Sequence, residues 1–150
     1  MDDILSILQD FDVANFLPEP GDYISSLVGW VRFAVLLGPL ILGVLGVWYY
    51  FWPPKEANHS VGFRTYWGMG SIRAWLFSQK LAGISFMVLG GALLVVSFLV
   101  SLTFNGEKAM GMINTAFVLV LLQLLLILVL WIVLQLLIYR AFDKDGKPRK

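Results

Sequence analysis

Polar residues in this chain fall into blocks, and between the blocks lie three stretches that are apolar almost without interruption. A helix needs roughly 20 apolar residues to cross a hydrocarbon layer about 30 Å thick. The run from Trp30 to Trp52 meets that length, as do those from about Leu81 to Phe104 and from Ala109 to Tyr139. Arg32 lies near enough to one end of the first run to snorkel, and Trp48, Tyr49, Tyr50 and Trp52 form an aromatic belt at the other. Pro39 sits inside that run, where it removes one backbone hydrogen bond and is expected to kink the helix. Asn105-Gly106-Glu107-Lys108 reads as a tight turn at the membrane surface between the second and third runs. The third run carries no charge and exceeds a perpendicular crossing, so it should tilt or protrude before Arg140 ends it.

Lysine and arginine placement predicts orientation, since these residues in short flanking segments resist translocation. None precedes Trp30. The first loop carries Lys55, Arg64, Arg73 and Lys80, the second only Lys108, and the tail Arg140, Lys144, Lys147, Arg149 and Lys150. The N-terminus and the Asn105 turn are therefore expected outside, with the first loop and the tail inside. No basic leader or cleavage pattern is evident, so the first span is expected to direct insertion itself. The expected fold class is all-α integral membrane, with three transmembrane helices, N-out and C-in. An acidic amphipathic segment occupies 1–29 and the helices 30–52, 81–104 and 109–139. A cytoplasmic loop with an interfacial helix spans 53–80, and a basic cytoplasmic tail 140–150. Within the first segment Ile4, Leu8 and Phe11 share a helical face that Pro18 and Pro20 interrupt, which suits docking on the outer surface or a partner; a frayed leader easing export is the alternative.

Composition supports lipid as the solvent: 59% of residues are hydrophobic and only 14% charged. The net charge of +1 gives no reason to expect a nucleic-acid partner. Without cysteine there is neither a disulfide nor a thiolate, and the lone histidine, His59, reads as an exposed loop residue rather than a metal ligand. No cofactor or metal is expected. Catalysis lacks a nucleophile with a plausible base and a phosphate-cradling motif, so the chain is expected not to be an enzyme.

Within lipid, helix contact is sought at small residues. Gly83, Gly90 and Ser97 recur every seven residues, widened by Gly91 and Ser101, with Gly43 and Gly46 as a possible mate on the first span. Gln123, the strongly polar residue near the middle of the third run, needs a hydrogen-bond partner; it serves as a packing clamp within or between subunits, or as a substrate contact. In the loop, Gly62 permits a tight or positive-φ turn, and Ser71 can cap a helix passing through Trp75. Along that helix Ile72, Trp75 and Leu76 form an apolar face, with Arg73, Gln79 and Lys80 toward headgroups or cytosol. Arg64 either ties carbonyls of the Gly-rich loop or contacts a ligand or partner. Asn58 and Thr65 read as turn and cap residues. The tail most simply anchors to anionic lipid, or holds a cytosolic partner.

Residues 53–91 resemble the bacterial SdpI family. The matching positions are Asn58, Gly62-Phe63-Arg64-Thr65, Met69, Trp75 and Gly83, at the intervals of that family. Val61 and Phe63 stand in place of tyrosines, Gly68 of serine, Ser71 of asparagine and Ser78 of alanine. The resemblance implies a protein of the bacterial cytoplasmic membrane, protecting its producer from a secreted peptide toxin and, in the best-known member, recruiting a transcriptional repressor. Asn58, Gly62, Arg64, Thr65, Met69 and Trp75 would then form the loop contact to a partner or ligand. From the residues alone, an accessory subunit docking its Gly/Ser stripe on a larger membrane complex, and a homo-oligomer, stand as further readings.

Overall fold

The computed structural model describes residues 20–57 and 60–149. Three helices follow in order: α1 (Pro20–Phe51), α2 (Ile72–Ser101) and α3 (Ala109–Ala141). Short 3-10 turns at Gly68–Gly70 and Gly106–Lys108 lie before α2 and α3. Among the described residues these three helices are long and apolar enough to cross a membrane. The expected leader helix over Ile4, Leu8 and Phe11 lies outside the described residues, as do Asn58 and His59.

Two helices extend beyond their apolar runs because nothing polar in the flanks stops them. α1 begins ten residues before Trp30, with Pro20 as its first residue, where a missing N–H costs no hydrogen bond. α2 begins at Ile72 rather than Leu81, so residues 72–80 are its opening turns and not a separate interfacial helix. Its 30 residues span about 45 Å at about 1.5 Å per residue, more than the hydrocarbon requires. Ser71 starts it by accepting a hydrogen bond from the Ala74 N–H at 3.1 Å.

Each helix buries one narrow stripe and leaves the rest of its apolar surface to lipid. Along α3 the stripe is Met112, Ala116, Leu119, Gln123, Leu134 and Ile138, a three-and-four spacing that returns to the same face. Val35, Pro39, Leu42 and Gly46 provide the corresponding stripe on α1. α1 and α2 run antiparallel and approach backbone to backbone. A Cβ added at Gly46 would lie 2.5 Å from the Met87 nitrogen, one at Gly83 2.7 Å from the Tyr50 nitrogen, and one at Gly90 2.7 Å from the Gly43 nitrogen. Gly91, although next to Gly90, faces open space.

α3 lies across this pair and joins it at two apolar clusters and one polar node. Val35, Phe104, Met112, Ala116 and Leu119 pack at one end. At the other, Leu134 and Ile138 pack with Ala82 and with Phe63 of the loop, so the extra length of α3 is used to cover that loop. Between the clusters, the Gln123 amide donates to the Val35 carbonyl at 3.0 Å and to Ser97 Oγ at 2.7 Å. Val35 is the residue whose carbonyl an N–H at position 39 would take in an unbroken helix, and proline has none to give. Gln123 supplies the missing donor from another helix.

Gly83→Leu and Gly90→Val should each force α1 and α2 apart and lower stability by roughly 1–3 kcal/mol, whereas Gly91→Ala should leave it unchanged. Thermal unfolding of the three variants in the same detergent tests the distinction.

Candidate functional site

The loop from Pro53 to Ser71 folds back against the first turns of α2. Phe63 and Thr65 are buried, while Arg64 and Tyr66 between and after them are exposed, the alternation of an extended segment. Gln79 fixes this segment. It is fully buried, its Oε1 accepts from the Phe63 N–H at 2.8 Å and its Nε2 donates to the Phe63 carbonyl at 2.9 Å. The side-chain amide thus pairs with both polar groups of one backbone residue, as a neighbouring strand would. Gln79 therefore does not face headgroups or cytosol; it points into the loop. Its place four residues after Trp75 puts both on one helical face, a signal that the polarity of the side chain obscures. Ile72 departs from expectation in the opposite sense, being 62% exposed.

Trp75 is also fully buried, and its indole N–H donates to the Pro54 carbonyl at 2.7 Å, tying the start of the loop to α2. Gly62 has φ +116°, and a Cβ there would meet the Trp75 ring at 2.7 Å. Both the backbone conformation and the space require glycine. Thr65 Oγ1 accepts from the Gly68 N–H at 2.8 Å, closing the turn that leads into Gly68–Gly70. A Cβ on Gly68 would collide with Thr65 Oγ1 and Ser78 Oγ. Ser78 is buried and returns its hydroxyl to the Ala74 carbonyl at 2.8 Å. Met69, half-buried, donates its N–H to the Thr65 carbonyl at 3.2 Å.

Gly62, Thr65 and Trp75 are thus brought together, Met69 borders them, and Arg64 is carried on the outside of the same segment. Asn58 lies outside the described residues. Gly83, Gly90, Ser97 and Gln123 belong to the helix contacts. Trp67 bridges the loop to α3, its ring 4.9 Å from that of Tyr139.

The basic C-terminal residues do not trail from α3. Phe142 and Pro148 form an antiparallel bridge around a turn in which Asp143 Oδ1 accepts from the Asp145 and Lys147 N–H groups at 3.0 and 2.8 Å. Gly146 adopts φ +69°, and a Cβ there would lie 2.5 Å from the Ser71 nitrogen. Ser71 Oγ donates to the Gly146 carbonyl at 2.8 Å, so the residue that caps α2 also holds the hairpin. The Arg149 guanidinium sits 4.2 Å from the centre of the Tyr139 ring. Short-range sequence patterns carried no sign of this docking.

A separate concavity of about 750 Å³ lies between α1 and α2. Gly43, Gly90 and Gly91 help form its floor, and Leu40, Val44 and Trp48 line it on the α1 side. No group of His, Cys, Asp or Glu capable of holding a metal occurs among the described residues.

Gln79→Leu would strand the Phe63 N–H and carbonyl, at a cost of roughly 1–3 kcal/mol for each group left unsatisfied. Trypsin cleavage at the exposed Arg64 should accelerate in that variant while the helical circular dichroism is retained.

No curated protein and no solved structure shows significant similarity to the chain. The model of the SdpI/YfhL protein family matches residues 55–137, which extends from the loop through α2 and nearly the whole of α3. That match covers more than half of the 150 residues and includes Gln79, Ser97 and Gln123, though not Val35 on α1. The chain is a multi-pass membrane protein belonging to the SdpI/YfhL family.

Proposed function

We propose that this protein acts by binding, as an immunity protein of a bacterial cytoplasmic membrane against a secreted peptide toxin, with the 53–71 loop relaying the bound state to a cytosolic partner. Family membership over residues 55–137 is the observation that carries this reading. The arrangement of the loop supports it. Buried hydrogen bonds from Gln79, Trp75 and Thr65 hold the loop in one shape, while Arg64 and the 72%-exposed Tyr66 project from it. A planar guanidinium beside an exposed aromatic ring is a combination enriched where proteins meet partners. Catalysis has no place in this reading.

Orientation belongs to the same proposal. Lys55, Arg64, Arg73, Lys80, Arg140, Lys144, Lys147 and Arg149 all lie on the flank bearing the loop and hairpin, against Arg32 and Lys108 toward the other. The positive-inside rule then puts the loop in the cytosol.

A second reading, an accessory subunit of a larger membrane complex, draws on the apolar groove between α1 and α2, whose glycine floor would admit a partner helix. Mild-detergent purification separates the two: a stoichiometric larger complex favours the subunit, and a secreted peptide or cytosolic regulator favours immunity.

Arg64→Ala should abolish protection of toxin-exposed cells while abundance and insertion stay normal, because the side chain is exposed. Trp75→Ala is a poorer probe, since it also opens the loop. Full protection by Arg64→Ala would remove the loop from the mechanism. The chain has no cysteine, so single introduced cysteines report sidedness directly. An impermeant maleimide should label Asn105→Cys in intact cells and Lys144→Cys only after permeabilisation; the reverse pattern would invert the topology.

A further inference from the structure

Arg32 lies where α2 ends. Its Nε donates to the Ser101 carbonyl at 3.1 Å and its Nη2 to the Phe104 carbonyl at 3.3 Å. Ser101 is the last residue of α2 and Phe104 belongs to the turn that follows it, so α1 ties the end of α2 and its exit turn together across the bundle. Both acceptors are neutral. The guanidinium is half-buried near the edge of the hydrocarbon, where a cationic group favours an anionic neighbour. It also carries more N–H donors than the two carbonyls engage.

A concavity of about 400 Å³ opens beside this guanidinium. Arg32, Ser25 and Asn105 give it polar groups, and Ile24, Val28 and Phe104 give it apolar walls. A charged floor with greasy walls suits a ligand that is ionic at one end and hydrocarbon at the other. Depth agrees with that chemistry. Irregular backbone is not tolerated against lipid tails, so the turn after Ser101 lies at or beyond the edge of the hydrocarbon, at the level of lipid headgroups. Among the described residues Lys108 is the other cation toward this end, so an anion held here is held by Arg32 and not by a diffuse basic surface.

We propose that the pocket between the start of α1 and the Phe104–Gly106 turn binds the phosphate of a membrane lipid, with the Arg32 fork as its principal donor and the Ile24, Val28 and Phe104 walls receiving the first part of the acyl chains. The rigid, planar guanidinium matches phosphate oxygens in a bidentate manner that a lysine at this position would not.

Native mass spectrometry of the full chain in detergent, titrated with phosphatidylglycerol, tests the site. Wild type should retain a tightly held lipid adduct that Arg32→Gln loses. Because Arg32→Gln also unties α1 from the end of α2 and its exit turn, Ser25→Phe provides an independent variant: it fills the pocket, leaves both carbonyl contacts in place, and should lose the same adduct. Lys144→Gln with Lys147→Gln, at the opposite end, should keep it. Diacylglycerol, which has equivalent chains and no phosphate, should not be retained. Equal retention by wild type and by both pocket variants would overturn the proposal, as would equal retention of diacylglycerol. Displacement of the adduct by inorganic phosphate at the same concentration would overturn the lipid source and assign the site to free phosphate.

Discussion

The contact on which this bundle depends joins a carbonyl that a proline leaves without its donor on one helix to a glutamine on another. Apolar side chains gain little by leaving lipid for one another, so hydrophobic burial does not select the partner of a membrane helix as it does in water. Selection falls to polar groups that lipid cannot satisfy and to backbones that approach closely. Pro39 takes the donor away from the Val35 carbonyl, and in hydrocarbon that acceptor must be met from elsewhere. The Gln123 amide meets it at 3.0 Å and reaches Ser97 at 2.7 Å, so one side chain of α3 bonds to both other helices. Sliding α3 by one turn in either direction would strand the Val35 carbonyl and the amide together. The node therefore sets the axial register on which the clusters at Met112 and Ile138 then pack.

Register, once set, reaches both ends of the molecule. Toward the loop, Leu134 and Ile138 arrive over Phe63 and Ala82, and the Tyr139 ring arrives beside Trp67. The loop is closed from within by the paired amide of Gln79 and closed from α3 by these rings. It behaves as a small folded unit on the membrane surface, and among the described residues no buried side-chain nitrogen or oxygen lacks a hydrogen-bond partner. Toward the other end, Arg32 bonds the carbonyl of Ser101, the last residue of α2, and that of Phe104 in the turn beyond it. Arg32 and Gln123 thus meet α2 toward its C-terminal end, at Ser101 and Ser97, while Gln79 projects from its opening turns.

Sequence reading reached the components of these contacts more readily than their pairing. The vacancy created by Pro39 and the need of Gln123 for a partner were each legible, since each follows from one residue in hydrocarbon. That the two needs answer each other depends on α3 crossing α1 at that height, which no local pattern encodes. The glycines at 46, 83 and 90 were legible because a missing Cβ in a lipid-facing helix has few other uses, yet Gly91 satisfies the same criterion and faces open space. Gln79 was misread because polarity suggested solvent, when a loop folding over it supplied a backbone to bond. Arg32 was read as a snorkelling side chain, since nothing nearby in sequence indicates that another helix ends beside it. Helix bounds moved for a simpler reason: hydropathy marks where lipid is, and a helix continues until its caps, Ser71 for α2, bring it to an end.

The C-terminal hairpin adds a constraint that lies beyond the family match. Residues 55–137 stop short of Phe142, yet the structure places Gly146 against Gly70 and Ser71 so closely that a Cβ on Gly70 would lie 2.6 Å from the Gly146 nitrogen. Ser71 holds both the first turn of α2 and the hairpin turn through a single hydroxyl, accepting from Ala74 and donating to Gly146. A serine can do both at once because it donates one hydrogen and accepts on its lone pairs; an asparagine would present a longer amide to the same narrow gap. Ser71 and Gly146 are thus complementary features of one contact. It joins the end of α3 to the start of α2, so the surface at that end is built from both the family segment and the residues that follow it.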